Sequence, residues 1–422
     1  MAEDASFEFG VGSSMFDPTD HGGFGSSEAP FGTGSQEGSG QAQSLVFGGG
    51  GDFLSKYHAR QQNGHQAEIR MRHRGSASGA HAGSQDSSKA SSGPDRAHVQ
   101  LNSSLVHAKN VDKILMVVEA HFNHFNAVNM ITALHRLATL VVASRKSTLR
   151  RDPRFKRLIQ KLSETLRIAD HGVLKPQDLS NVAWALTKLG LLNNVLFRQL
   201  AVHIAGTVKD FEPVNLSMTL WAFACSGFLD EELFRATVGE VKHQLPAFKP
   251  QQIANTTWAI AKSGYVDEEL FSLAAELALK KLDDFEPMNY SMLLYSFSLA
   301  KQPNPMLFEQ VGKRCSVQSL SGVASVPHVV TNLALAFSEA GIVNTDVFDT
   351  IARVARHTLK EYRTQQISTL AMSFAGARVK NEKLFASISD VVVSRLSEFK
   401  AQDMKDLLAA YQTLGMSTEK IA

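Results

Sequence analysis

The densest chemistry in the chain is a run of cations from Arg145 to Lys161, reading RKSTLRRDPRFKRLIQK. Arg145, Lys146, Arg150, Arg151, Arg154, Lys156, Arg157 and Lys161 are set against one carboxylate, Asp152. Arg150, Arg154, Arg157 and Lys161 are spaced 4, 3 and 4, which is one stripe if the segment is helical. Phe155, Leu158, Ile159 and Leu162 then fall on the opposite side. A stripe of fixed positive charge suits phosphate oxygens and releases counterions when it binds them. A solvated surface helix, or one that meets an acidic protein, fits the same residues.

Covalent chemistry finds no comparable support. No Ser-His-Asp, Cys-His or paired-carboxylate arrangement stands out, so the sequence predicts a protein that is not an enzyme. Cys225 and Cys315 are two cysteines only, too few for a disulfide framework or a four-thiolate zinc site, and they read as small buried hydrophobes. His121 and His124, with His107 nearby, lack evident further ligands, so no metal or cofactor is expected.

A second set of candidates is made of amides and two lysines: Asn181, Asn215, Gln252, Asn255, Asn289 and Asn332, with Lys188 and Lys262 further along the same helices. An amide side chain both donates and accepts, as pairing with a base edge requires. Helical-repeat proteins read about one base per repeat in this way, with the lysines free to hold the backbone. A solvated concave face would tolerate the same amides.

These amides recur because the chain does. Prolines stand at Pro176, Pro213, Pro250, Pro287 and Pro327, at spacings of 37, 37, 37 and 40. Trp184, Trp221, Trp258 and Tyr295 follow by eight residues; Gly190, Gly227, Gly264 and Gly341 by fourteen. Phe197, Phe234, Phe271, Phe308 and Phe348 follow by twenty-one, and Thr364 and Ala401 open two further units without the proline. Each unit reads as two helices. Proline opens the first, a left-handed glycine ends it, and Asn193, Asp230, Asp267, Asn304, Asn344 and Asn381 cap the second. Phe211, Phe248, Phe285 and Phe399 stand as hydrophobic staples before the first helices. The tryptophans adjoin the apolar stripe, which favours packing over base stacking. One helix pair cannot cover its apolar face, and stacked pairs do. The predicted fold is therefore all-α: an α-solenoid of about seven 37-residue repeats over residues 174–422, after an aberrant leading unit over 101–173 with a basic insertion.

Residues 1–100 are rich in Gly, Ser, His, Gln and Ala and read as disordered. Their four Phe-Gly pairs, at Phe9, Phe24, Phe31 and Phe47, read as low-complexity filler rather than a functional segment. Net charge runs −8 over residues 1–54, +11 over 55–170 and −1 over 171–422. No stretch reaches the roughly 18 apolar residues of a membrane span, so a soluble chain is expected. Glu3, Asp4 and Glu8 disagree with a mitochondrial presequence, whereas a start at Met71 has presequence-like composition. The sequence stops at Ala422, barely into a last second helix, which fits a truncated gene model.

The strings PQDLSNVAWALTKLG, PVNLSMTLWAFACSG and PQQIANTTWAIAKSG resemble the octotricopeptide and heptatricopeptide repeat families. They are also similar to the repeats of FAST-kinase-like proteins and of the RNA-editing substrate-binding complex. The resemblance covers roughly residues 125–416. It implies organellar RNA work in a mitochondrion or plastid, such as processing, editing, stabilisation, ribosome assembly or translation. The implied partners are single-stranded RNA and other proteins of a ribonucleoprotein complex. No nuclease-like activity is carried over, because the small RAP domain of many relatives has no counterpart here. The alternative is a protein-interaction scaffold of the armadillo or HEAT kind, which the near-neutral array favours.

Overall fold

A computed structural model describes residues 94–170, 172–323 and 326–421. Two units divide the chain: residues 24–99, and residues 1–23 with 100–422. Of the first, residues 94–99 are described, as the start of a helix that runs Pro94–His107. Pro94 opens this helix in the position where its missing N–H costs nothing. The Phe-Gly pairs and the rest of the expected disordered segment lie outside the described residues.

In the second unit the described residues form helices and no strands, stacked in sequence order as an α-solenoid. First helices run Pro176–Lys188, Pro213–Ser226, Pro250–Ser263, Pro287–Leu299, Val326–Glu339, Thr364–Gly376 and Ala401–Thr413. Second helices run Asn194–Thr207, Glu231–Gln244, Glu268–Lys280, Pro305–Arg314, Thr345–Thr358 and Glu382–Ser394. The spacing of 40 before Pro327 reflects a short extra helix, Val317–Ser321, after Pro305–Arg314. Ahead of the repeats, Val111–His121 precedes a leading pair, Ala127–Leu140 and Pro153–Ile168, with Lys146–Arg151 between them.

Local signals set these boundaries. All six expected caps accept a backbone N–H at the start of the second helix, as Asp267 does from Leu270 at 2.8 Å and Asn381 from Leu384 at 3.0 Å. The glycine that ends the first helix is left-handed, with φ of 68° at Gly190 and 76° at Gly264. Where the sequence lacks that glycine, Lys301 and Arg378 take the same conformation, at φ 56° and 54°. The geometry of the turn therefore outweighs the residue's own preference, at a cost of about 1–2 kcal/mol each.

The core is built between repeats. At five junctions the phenylalanine of a second helix meets an aromatic ring from the next first helix edge-on: Phe197 with Phe223, Phe271 with Phe297, Phe308 with Phe337, Phe348 with Phe374, and Phe385 with Tyr411, at 4.9–5.1 Å between centroids, whereas Phe234 meets Tyr265 of the following turn at a tilt. Each such pair contributes about 0.5–1.5 kcal/mol beyond its buried area. First helices of neighbouring repeats pack more extensively than second helices do. Small buried residues permit this: Ser180, Ser217, Ala254 and Ser291 at one position, and Ala185, Ala222, Ala259 and Ser296 at another. Hydrogen bonds cross the same seam, from Thr187 Oγ1 to the Ala222 carbonyl at 3.2 Å and from Ser298 Oγ to the Ala336 carbonyl at 2.8 Å.

Candidate nucleic-acid interface

The basic segment does not form the single stripe that its spacing suggests. Asp152 caps Pro153–Ile168 by accepting from the Arg154 backbone N–H at 2.8 Å, so the chain breaks there. Arg150 belongs to the preceding short helix, Lys146–Arg151, and donates through Nη1 to the Gly190 carbonyl at 2.9 Å. Arg154 holds Asp152 with two bonds, at 3.0 and 2.7 Å, and Glu119 at 3.7 Å. That hydrogen-bonded guanidinium lowers the Asp152 pKa, and the carboxylate in turn raises that of Arg154. The Arg157 guanidinium lies 3.9 Å from the centre of the Phe122 ring, and Lys161 Nζ donates to the Phe122 carbonyl at 2.7 Å. Burial, with Arg157 adding to it, lowers the Lys161 pKa.

Of the four residues read as a free stripe, Arg150, Arg154 and Lys161 are thus hydrogen-bonded latches, while Arg157 lies over a ring and stays exposed. Phe155, Leu158 and Leu162 are buried beneath them as the helical period requires. The cations that remain outward are Arg145, Arg151, Lys156 and Arg157, all exposed, with Lys146 half-buried. Arg145 is joined to Asp112 only at 4.0 Å, between two side chains that are both 67% exposed, an arrangement worth little in water.

The amide row is corrected more sharply. Asn181, Asn215, Asn255 and Asn332 are buried, not set on a solvated edge, because the first helices approach closely enough to enclose them. Asn215 Nδ2 donates to Ser180 Oγ of the preceding repeat at 3.1 Å. Gln252 Oε1 accepts the Lys249 N–H at 2.9 Å, so it is a helix cap, and Asp178, Gln366 and Asp403 do the same for Lys175, Arg363 and Lys400. Burial raises the Asp178 pKa against the lowering effect of its cap bond. Asn289, Lys188 and Lys262 are half-buried. Trp221 and Trp258 belong to the core, and Trp184 stacks on His135 at 4.8 Å and 28°. Burial, aided by Arg136, pushes the His135 pKa down to about 4.

Two features have no mark in the sequence. Phe122 is the platform for Arg157 and Lys161, yet it lies 39 residues before Lys161 and no local pattern singles it out. A cavity of about 560 Å³ lies among Asp346, Asp349, Arg353, Arg356, Asn381 and Lys383, on the second helices of the last repeats. Its cations are mixed with two carboxylates, which sets it apart from a plain anion site. Among the described residues, no group of three or more His, Cys, Asp or Glu side chains is placed to share a metal ion, and no helix is long and apolar enough to cross a membrane.

A search of curated proteins finds no match to the chain. Residues 158–267, from within Pro153–Ile168 through the two repeats that begin at Pro176 and Pro213 to the end of the next first helix and its turn, match the family model of the RNA-editing substrate-binding complex 6 protein. This part of the array, which adjoins the basic leading unit, is therefore similar to the repeats of that RNA-editing family.

Proposed function

We propose that this chain is a non-catalytic RNA-binding solenoid that serves in an RNA-editing or related ribonucleoprotein complex of a mitochondrion or plastid. The observation that carries the reading is the family match over residues 158–267, immediately beside a leading unit whose outward side chains are strongly basic. Single-stranded RNA would lie along the first helices, with Arg145, Arg151, Lys156 and Arg157 holding phosphates at one end. Fixed cations on packed helices serve this purpose because little order remains to be imposed when the strand arrives. The test is a titration of a fluorescently labelled single-stranded RNA with the full chain at several salt concentrations. The reading predicts that log K falls with log salt by about 0.7 for each phosphate neutralised. No binding at low salt would overturn it.

A protein-binding role for another edge of the array rests on a separate observation. Leu192, Leu229, Val266 and Val343 stand at one position of four repeats, in the turn between first and second helix, and are 41–57% exposed. Glu231, Glu232 and Glu268 are exposed next to Leu229 and Val266. Acidic side chains repel phosphate, so that edge suits a protein neighbour within a complex, while the basic end takes RNA. Leu229→Ser with Val266→Ser should weaken co-purification of the complex without changing the affinity for RNA; equal loss of both would contradict two separate surfaces.

A further inference from the structure

The apolar row at the turn between first and second helix is unbroken over successive repeats. Leu192, Leu229, Val266, Pro303 and Val343 each stand immediately before the residue that caps a second helix, and all are exposed. Charge bounds the row at both ends: Arg151 precedes the cap Asp152, Lys380 precedes the cap Asn381, and both are exposed. Single exposed apolar side chains need no explanation, but a contiguous set of them marks an interaction surface.

A second row beside the first gives the ridge a pattern. Two residues after the cap stand Val195 and Met306, 57% and 62% exposed. In the two repeats between them Glu232 and Glu269 take that place, preceded by Glu231 and Glu268, and all four are exposed. Lys242 holds Glu269 at 2.7 Å, whereas among the described residues Glu231, Glu232 and Glu268 enter no ion pair. From Leu192 to Met306 the ridge is therefore apolar at both ends, and apolar with unpaired carboxylates midway.

The spacing of the repeats says what shape matches this ridge. Neighbouring helices pack about 8–10 Å apart, so the turns from Leu192 to Pro303 span about 24–30 Å. An α-helix advances about 10.5 Å in seven residues. One apolar stripe of seven-residue period on a helix thus meets one turn of the array after another.

We propose that this ridge docks an amphipathic α-helix of a protein partner, about 18 residues long, apolar along one stripe, basic midway along its length and uncharged toward its ends. The inference rests on the protein-binding reading of this edge given above and names the partner's chemistry. The stripe covers Leu192, Leu229, Val266 and Pro303, while Lys or Arg side chains midway reach the carboxylates of Glu231, Glu232 and Glu268. Those charges fix the register, because a helix slid by one repeat sets a cation against Val195 or Met306.

The test titrates the full chain with two fluorescein-labelled synthetic peptides of three heptads. Each has leucine at the first and fourth heptad positions and glutamine elsewhere, except that the central heptad of one carries lysine and that of the other glutamate. The lysine peptide should bind about tenfold or more tighter than the glutamate peptide. Leu229→Ser with Val266→Ser should weaken it by about tenfold, and Glu231→Gln, Glu232→Gln and Glu268→Gln together should erase the preference for lysine. These side chains are exposed, so both variants should keep the unfolding midpoint. A lysine peptide bound no tighter than the glutamate peptide, or bound equally well by the Leu229 and Val266 variant, overturns the proposal. So does self-association of the chain, read by sedimentation, that the same variant abolishes, since the ridge then belongs to a second copy. If neither peptide binds while that variant still weakens co-purification of the complex, the helix falls and the protein-binding edge stands; if co-purification is also unchanged, both fall.

Discussion

Gln244 Nε2 donates to the carbonyl of Phe211, 33 residues earlier, at 2.8 Å. The same positions are joined in other repeats by different side chains: Lys281 Nζ reaches the Phe248 carbonyl at 3.2 Å, and Arg395 Nη1 the Tyr362 carbonyl at 2.9 Å. In each case a donor at the end of a second helix satisfies the carbonyl two residues before the first helix of its own repeat, where the chain leaves the repeat before it. Amide, ammonium and guanidinium do one job, which is to fix how each repeat sits on the last. Gln244→Leu should leave the Phe211 carbonyl unpaired and cost about 1–2 kcal/mol. Because repeats respond locally, hydrogen exchange should accelerate in residues 208–250 and stay unchanged beyond residue 326. A uniform acceleration would contradict the repeat-to-repeat account.

Lys301 and Arg378 occupy the left-handed position that glycine holds in other repeats. The strain of a side chain there, about 1–2 kcal/mol, exceeds the entropy glycine loses on folding, about 0.5–1 kcal/mol. Lys301→Gly and Arg378→Gly should therefore each stabilise the chain by roughly 0.5–1 kcal/mol. Gly264→Ala, at φ 76°, should destabilise it by about 1 kcal/mol. Urea midpoints check all three, and a loss of stability in Lys301→Gly would contradict the argument.

His135 makes the leading unit sensitive to acid. Its folded pKa is about 4, below the usual 6.5, because burial opposes the charged ring. The unfolded chain therefore takes up this proton first as pH falls. Stability is full above pH 6.5 and declines between 6.5 and about 4, by up to roughly 3 kcal/mol. Trp184, stacked on His135, places a fluorescent reporter at the site. Urea unfolding followed by tryptophan fluorescence should lose stability over that window in the wild type, and less in His135→Phe. Parallel curves for the two proteins would contradict it.

The parts of the fold that were legible in the sequence are those fixed by near neighbours. Pro213, Gly227 and Asp230 announce a helix start, a helix end and a cap because each acts on residues within four of itself. The candidate site was legible in composition but not in placement. Arg150 and Lys161 find their acceptors at Gly190 and Phe122, 40 and 39 residues away, and no periodicity encodes such partners. Gln252 and Gln366 share a repeat position with Asn215 and Asn289, yet their nearest need is the orphan N–H at their own helix start. The burial of Asn181 and Asn255 follows from how closely small residues such as Ser217 and Ala254 let the first helices approach, a property of pairs of helices and not of either alone.

Removing outward cations should change RNA binding without changing the fold. Arg151 and Lys156 are exposed, and among the described residues no ion pair ties them to the array. Arg151→Gln with Lys156→Gln should flatten the slope of log K against log salt by about 0.7 for each phosphate no longer neutralised, with an unchanged unfolding midpoint. Arg154→Gln should instead lower the midpoint, because Asp152 loses its partner. If the Arg151 and Lys156 variants keep the full slope, the leading unit is not where phosphates bind.

The central claim is that single-stranded RNA is held by the basic leading unit and the first helices of the array. Ultraviolet crosslinking of the full chain to a labelled single-stranded RNA, with the crosslinked peptides identified by mass spectrometry, tests it most directly. The account predicts adducts within residues 145–161 and on the first helices that begin at Pro176, Pro250 and Val326. Adducts confined to residues 1–93, or none at all under conditions where the RNA is bound, would contradict it.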